Sequence, residues 1–549
     1  MSRIHSCFSP LPAVATLALL LAMSAGCATP DRWKAFERSG DLDSSEKETE
    51  PMNLPPGIVP EPDRATPLPI TDGDGPLSVS VEQAVLLALS RNRELAVQQI
   101  SPIIAGAFEQ IERGRFDPEL FASAEHTKER ASEVNRGTGA SYSVDSRETG
   151  AEIGVRQLLP TGTEIEATVG TNRSISNRAP EQQEARLGLT LTQALLRGFG
   201  PAVNLAGIRQ AELDTIASRY ILRAFAETLL AETEIAYWNY MLAFERIAIF
   251  ERSLQVARQQ LDVIEQRIEV GVLARTEAAA ARVELARREQ ALIEAGSHLE
   301  STRLRLLQLM NPDPGNDAVF FRSIIATSPF AIEPKPITDL PERVELAQRM
   351  RPEINEAQLR LEQRRLETVV TRNGLLPRLD VFLVLGRSGF DNTFANSFRN
   401  LNENTYDFTV GVSLSCYLAD RAAKGHDLIA RASQWQAMEA LENLRQVIRL
   451  DVHLAVNEVE RARRQIGASA TTRELEEQTV QAELERFDVG TSTALLVAQA
   501  QRDLLAAQII EVESVVSYRI ALVNLYLTEG TLLERRGIST GDHQNPSPL

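Results

Sequence analysis

The chain has 549 residues, with 58 Lys+Arg against 75 Asp+Glu and a formal net charge of −17. That balance argues against non-specific binding to DNA or RNA, which needs clustered positive charge. With 24% charged and 43% hydrophobic residues, the chain is neither disordered nor a bundle of membrane helices.

Arg3 and His5 open the chain, Leu11 to Met23 is an apolar run, and Ser24-Ala25-Gly26-Cys27 follows. A basic start, a short apolar stretch and small residues at a cleavage site read as a secretory signal over 1–26. The run is too short to span ~30 Å of hydrocarbon as a helix. Ala-Gly-Cys27 resembles the lipobox of bacterial lipoproteins, with Ser24 where that pattern has Leu. The resemblance implies acylation of Cys27, and Ala28 in place of Asp implies sorting to the outer membrane. Residues 27–78 are Pro- and acid-rich without helical or strand period, and read as a tether. Of the other cysteines, Cys7 lies in the signal and Cys416 in an apolar-alternating stretch, so no disulfide framework exists.

Beyond residue 79 the sequence is written twice. Val85, Ala88, Glu94, Pro118 and Leu120 match Val344, Ala347, Glu353, Pro377 and Leu379 at an offset of 259. Gly188-Leu-Thr-Leu-Thr192 matches Gly411-Val-Ser-Leu-Ser415, and Arg267-Ile-Glu-Val-Gly271 matches Arg486-Phe-Asp-Val-Gly490. The first repeat is placed at 79–335, the second at 336–530, and 531–549 is read as a flexible tail. Each repeat reads helix, strands, very long helix, shorter helix. Helices are predicted at about 80–113, 203–268 and 274–310, then 341–372, 422–487 and 491–528. The long helix of the first repeat spans roughly 100 Å at 1.5 Å per residue, enough to lie beside two shorter helices stacked end to end.

Leu254, Ala257, Leu261, Ile264 and Ile268 alternate spacings of three and four, and Leu285, Leu292, Leu299 and Leu306 repeat every seven. These stripes on consecutive helices predict an antiparallel coiled-coil hairpin. Val270-Gly271-Val272 is its turn, and Val489-Gly490-Thr491 is the turn of the second hairpin. The tips, Val270 to Leu273 and Val489 to Thr491, expose apolar residues where the rod ends, which marks a docking surface.

Strand segments alternate with period two. Ala151, Ile153 and Val155 oppose Glu152, Gly154 and Arg156; Tyr406, Phe408, Val410, Val412 and Leu414 oppose Asp407, Thr409, Gly411, Ser413 and Ser415. One apolar and one polar face fits a transmembrane barrel with a wet interior. Pro118 to Gly188 is longer than Pro377 to Gly411, and the surplus predicts an extra hairpin at about 148–158 and 164–172, in the barrel wall or, on the competing reading, projecting outside the membrane. Its turn is Leu159-Pro-Thr-Gly-Thr163, flanked by long polar connections at about 128–147 and 173–185. Copy one then supplies four strands and copy two supplies two. Open edges cannot face lipid, so closure needs further copies.

The duplicated Arg-x-x-Val-Gly turn, Tyr237-Trp238 midway along the long helix, and the join Leu191-Thr-Gln-Ala-Leu-Leu-Arg-Gly198 resemble the TolC-type outer-membrane efflux protein family. The resemblance covers about 80–530. It implies a mainly α fold with a β-barrel portion, completed by trimerisation, in the outer membrane and extending into the periplasm. It also implies docking onto a periplasmic adaptor protein and an inner-membrane transporter, contact with outer-membrane lipid, and no cofactor, metal or nucleic acid. Some family members carry acids six and nine residues after the second turn glycine; here these are Leu496 and Gln499. Glu277, six after Gly271, is the acid left to ring the entrance.

No enzyme motif is present. Arg197-Gly-Phe-Gly-Pro201 precedes a helix but lacks the spacing and Lys of a phosphate loop. The six His show no ligand spacing. An export duct is the favoured reading over a periplasmic coiled-coil adaptor, which would have one hairpin, and a soluble scaffold, which leaves the signal unexplained. The sequence does not name the cargo.

Overall fold

The computed structural model describes residues 75–134, 136–311 and 320–538. All lie in one unit, Ile58–Leu549. The signal, Cys27 and the tether up to residue 74 are outside the described residues, as are 539–549.

The first element of the described residues is β1 (Leu77–Val79), whose first two residues lie in the span read as tether. Where periodicity predicts one helix over about 80–113, there are three: α1 (Val81–Arg91), α2 (Arg93–Gln98) and α3 (Ser101–Gly114). Asn92 makes the first break, because its Oδ1 accepts from the N–H groups of Glu94 and Leu95 and so caps a new helix. Pro102 sits in the first turn of α3, where its missing donor costs nothing.

The strands β2 (Glu119–Val134), β3 (Ser141–Leu158), β4 (Thr163–Ser176) and β5 (Gln182–Ala194) follow. They are longer than predicted, and take up much of the polar spans read as connections. Ser, Thr and charged residues continue the backbone ladder where the apolar alternation has ended. The rod comes next: α4 (Pro201–Asn204), α5 (Ala206–Glu269) and α6 (Arg275–Met310). Strand β6 (Ile324–Ala326) then pairs in parallel with β1. The predicted helix at 341–372 is divided into α7 (Leu340–Met350) and α8 (Pro352–Gly374), because Pro352 cannot continue a helix. Strand β7 (Arg378–Asp391), the unpredicted short helix α9 (Phe394–Arg399) and β8 (Tyr406–Ser415) lead to α10 (Arg421–Asp488), α11 (Ala494–Glu529) and α12 (Leu532–Arg535).

The larger sheet is a six-stranded antiparallel meander, β2-β3-β4-β5-β7-β8. The predicted surplus hairpin is therefore part of the sheet, as β3 and β4. Next to the sheet, the helices pack in the order α3, α5, α8, α10; farther away the order is α6, α5, α11, α10. Each long helix thus runs beside two short ones stacked end to end, as the helix lengths predicted.

The main core lies at the waist. It joins Leu77, Val79 and Ile324 of the small sheet to Leu230, Tyr237 and Trp238 of α5, Leu306 and Met310 of α6, and Val523 of α11. The Tyr237 hydroxyl donates to the Val79 carbonyl (3.2 Å) and accepts from the Ser328 N–H (3.1 Å), and Tyr240 donates to the Ile324 carbonyl (2.6 Å). These bonds let two tyrosines be buried at little cost. Residues 531–538 correct the reading of the tail as flexible: Thr531, Leu532, Leu533 and Ile538 are all buried in or beside this core.

Candidate functional site: sheet faces, hairpin tips and lateral edges

The register continues the strand alternation across the whole sheet. Leu120, Val155, Ala167, Leu189, Leu385 and Phe408 form one unbroken cross-strand row on one face. Ile153, Val155, Leu187, Phe408, Val410, Val412 and Leu414 are exposed although apolar. The opposite face is polar and mostly acidic, with Glu125, Glu129, Glu148, Glu152, Glu164 and Glu166. Its arginines are tied, Arg156 to Glu119 (2.8 Å) and Arg186 to Asp407 (2.7 Å). Where two strands approach closely, glycine makes room for an aromatic ring: a Cβ on Gly411 would lie 2.3 Å from the Phe382 ring.

The sheet joins the rod through the Gly-rich segment. Gly198 and Gly200 have φ of 85° and 92°, and Asn204 Nδ2 donates to the carbonyls of Pro160 (3.0 Å) and Gly198 (2.8 Å). Arg197–Pro201 is thus a structural joint.

The two predicted turns are superimposable in their hydrogen bonding. The N–H of Gly271 donates to Ile268 O and that of Val272 to Arg267 O; Gly490 donates to Phe487 O and Thr491 to Arg486 O. Both glycines have φ of 80°, the left-handed cap this pattern needs. Val270, Val272 and Val489 are 73%, 71% and 75% exposed, so they contribute nothing to the protomer's core. Leu273 instead packs beside a small cluster of Ile264, Ala278, Phe487 and Val497 that joins the two hairpins. Glu277 faces the second hairpin and accepts from the Ala494 N–H. Arg267 pairs with Asp488 (2.7 Å) and lies over the Phe487 ring.

The lateral edges are unpartnered in both layers. β2 and β8 are the edge strands, and α3 and α10, which flank them in the chain, are the edge helices. Val97 of α2 and Ile104, Phe108 and Ile111 of α3 form an exposed apolar stripe, as do Leu428, Trp435, Leu450 and Leu454 of α10. Cys416 is exposed just past β8.

Sequence reading missed the buried charges of the rod. Glu284 and Arg288 are buried together on α6, with Arg288 also donating to Ser253. At the waist, Glu234 holds Arg536, and Glu529 holds Arg343 and Arg535. Glu227 is bonded to Arg223 (3.1 Å), which also reaches Glu534. Burial pushes the Glu227 carboxyl up to about 7, against the pull of Arg223. The signal for these was acids and arginines at positions where the helix period calls for apolar residues. Arg519, over the Trp238 ring at 4.0 Å, donates to three backbone carbonyls, of Pro329, Phe330 and Ala331.

An amphipathic antiparallel sheet set on a long, doubled helical hairpin is a fold shared with solved outer-membrane channels. Residues 344–531 match the model of the outer membrane efflux protein family. Solved structures share the fold. The outer-membrane channel OprN superposes with a TM-score of 0.61 at 18% identity, covering 82% of this chain and 89% of that one. The Campylobacter jejuni CmeC channel gives 0.60 at 16%, covering 82% and 86%, and the Neisseria gonorrhoeae MtrE channel 0.58 at 18%, covering 82% and 89%. No curated protein matches the chain by sequence. No described helix is long and apolar enough to cross a membrane.

Proposed function

We propose that the chain is one protomer of a passive export duct, whose sheet joins those of two further copies into a barrel in the outer membrane and whose helices form a periplasmic tunnel. The carrying observation is that the open strand edges and the open helix edges fall on the same two sides. One lateral contact between copies, β8 and α10 against β2 and α3, would therefore satisfy the ladder and cover both apolar stripes.

The sheet's stagger supports closure. Following the register from Glu119 at the rod end of β2 leads through Arg156, Glu166, Thr190 and Val384 to Thr409, six residues short of the rod end of β8 at Ser415. Six residues at ~3.3 Å over five strand spacings of ~4.8 Å is a tilt of about 40°. Transmembrane barrels have tilts of ≈ 35–45°. Three copies of a six-stranded sheet make 18 strands, wider than four strands per protomer would give.

In this reading the two repeats descend from one duplicated unit. Cys27 carries the lipid, and the tips at Val270–Leu273 and Val489–Thr491 meet a periplasmic adaptor that links the duct to an inner-membrane transporter. Glu277, bonded to the second hairpin, ties the tips together as well as standing near the entrance. Energy for export comes from the inner-membrane partner, and the chain performs no catalysis.

The test is a cysteine scan in a Cys416→Ser background, with one cysteine at Ala124 on β2 and a partner moved along β8 from Phe408 to Leu414. Oxidised outer-membrane fractions should contain covalent trimers at one or two adjacent positions. Absence of inter-chain disulfides at every position would overturn the closure.

A further inference from the structure

The apolar face of the sheet changes character at its end far from the rod. Past Ala124 on β2 come His126, Lys128 and Arg130; past Ala151 on β3 lie Thr149, Arg147 and Asp145; past Val169 on β4 lie Thr171 and Arg173. All of these share the face of Leu120, Ile153 and Val169, because alternate residues point the same way. The neighbouring residues Glu129 and Glu148 point to the other face. Apart from Asp145 and Arg156, which pair with Arg130 and Glu119, the sign of charge segregates within single strands, basic on the apolar side and acidic on the polar side.

Lys128 and Arg147 are directly opposed cross-strand partners, and both are exposed. Two like charges at this spacing destabilise a strand pair. Among the described residues neither side chain has a hydrogen bond or an ion pair. The nearest acid on their face, Asp145, is occupied by Arg130, whose Nε and Nη2 both donate to it (2.5 and 3.1 Å). Arg173 lies diagonally from Arg147, since its own register partner is Thr149, and it is exposed with an ion pair to Glu181 at its far side (2.6 Å). The arrangement is a basic patch in which Lys128 and Arg147 share the field of one carboxylate, Asp145, that is already bonded to Arg130, with Arg173 as a third cation beside them.

Its height identifies what would fill it. Lys128 is eight residues beyond Leu120, about 20 Å along the barrel axis at a tilt of about 40°. The lipid-facing apolar band of such barrels is ≈ 25 Å tall. With Leu120 at the rod-side edge of that band, the patch stands about 5 Å short of its far edge on the outside of the barrel, a gap that long Lys and Arg side chains span to reach headgroup level.

Building on the barrel reading above, we propose that Lys128, Arg147 and Arg173 bind a phosphorylated lipid headgroup of the outer leaflet. A phosphate between Lys128 and Arg147 turns the like-charge repulsion into two charge-assisted contacts, and the acyl chains of the same lipid lie on Ile153, Val155 and Val169 below.

The full chain is inserted into phosphatidylcholine nanodiscs, with or without a bis-phosphorylated glucosamine glycolipid, and retained glycolipid is measured by native mass spectrometry. The wild type should retain glycolipid. Lys128→Gln/Arg147→Gln should lose at least about tenfold in retention, Lys128→Arg/Arg147→Lys should keep most of it, and the dephosphorylated glycolipid should not bind. In lipid-free detergent the Gln variant should melt no lower than wild type, since it removes a repulsion, and this separates lost binding from misfolding. Equal retention by wild type and the Gln variant overturns the proposal, as does half-maximal displacement of the glycolipid by inorganic phosphate at equimolar concentration, which would mark a site for free anion. If the chain inserts into no nanodisc, the barrel reading itself fails; insertion with unselective retention defeats the headgroup site alone.

Discussion

Glu277, at the start of α6, accepts a hydrogen bond from the backbone N–H of Ala494, the first residue of α11, at 3.1 Å. One hairpin thus supplies an acceptor to the open N-terminus of the other, alongside the Thr493 side chain that accepts from Leu496. A carboxylate at a helix N-terminus also meets the positive end of the helix dipole. Glu277→Ala should therefore loosen the second tip by roughly 1 kcal/mol. Hydrogen exchange would read this as faster exchange at 494–497, with the waist unchanged. Unaltered protection there would show that the contact contributes nothing to tip order.

The tip glycines should tolerate no β-branched residue. Both Gly271 and Gly490 have φ of 80° with open space around the Cβ position. Gly271→Val or Gly490→Val is thus opposed by backbone conformation alone, about 1–2 kcal/mol at each site. If the chain is the export duct proposed above, its trimers should still assemble, because the apolar stripes and strand edges are distant, while export falls. Normal export by both variants would remove the tips from the docking surface.

At the sheet, Gly411 and Phe382 form a single packing unit. A Cβ at 411 would stand 2.3 Å from the Phe382 ring, so Gly411→Ala must displace the aromatic side chain. Overpacking of this kind costs about 1–3 kcal/mol. Adding Phe382→Ala should recover much of the loss in the thermal stability of the detergent-solubilised protein. A double variant no more stable than Gly411→Ala would show that the ring is not what the glycine accommodates.

Glu227 should make stability fall as pH rises. Its folded carboxyl titrates near 7 against an ordinary value of 4.5. Between these values the folded chain holds a proton that the unfolded chain has lost, so protonation stabilises the fold below about pH 4.5 in full. The effect fades as pH passes through 7, where the buried group must ionise. The span corresponds to roughly 1–3 kcal/mol. Melting temperature measured from pH 5 to pH 8 should decline for the wild type and stay flatter for Glu227→Gln. Parallel slopes would assign the pH dependence to other groups.

Much of this architecture is a property of the sequence alone. Period-two alternation settles which face of each strand is apolar, since a strand has only two faces. The three-four stripe through Leu254, Ala257, Leu261 and Ile264 settles which side of α5 packs, and a Val-Gly step at 270–271 can end a helix in few other ways. What the sequence left open was decided by contacts between residues far apart in it. The break at Asn92 needed a partner for its amide, and Nδ2 finds it in the Leu309 carbonyl. The short β1–β6 pair exists because two tyrosines of α5 hold it. The turn at 532–535 is ordered because Leu532 and Leu533 enter a core built from α1, α5 and α11. Glu234 and Glu529 read as solvated acids on helices. Only the folded chain, by bringing Arg536 to Glu234 and Arg343 to Glu529, makes their burial affordable, because a charge can leave water only where another charge is already waiting.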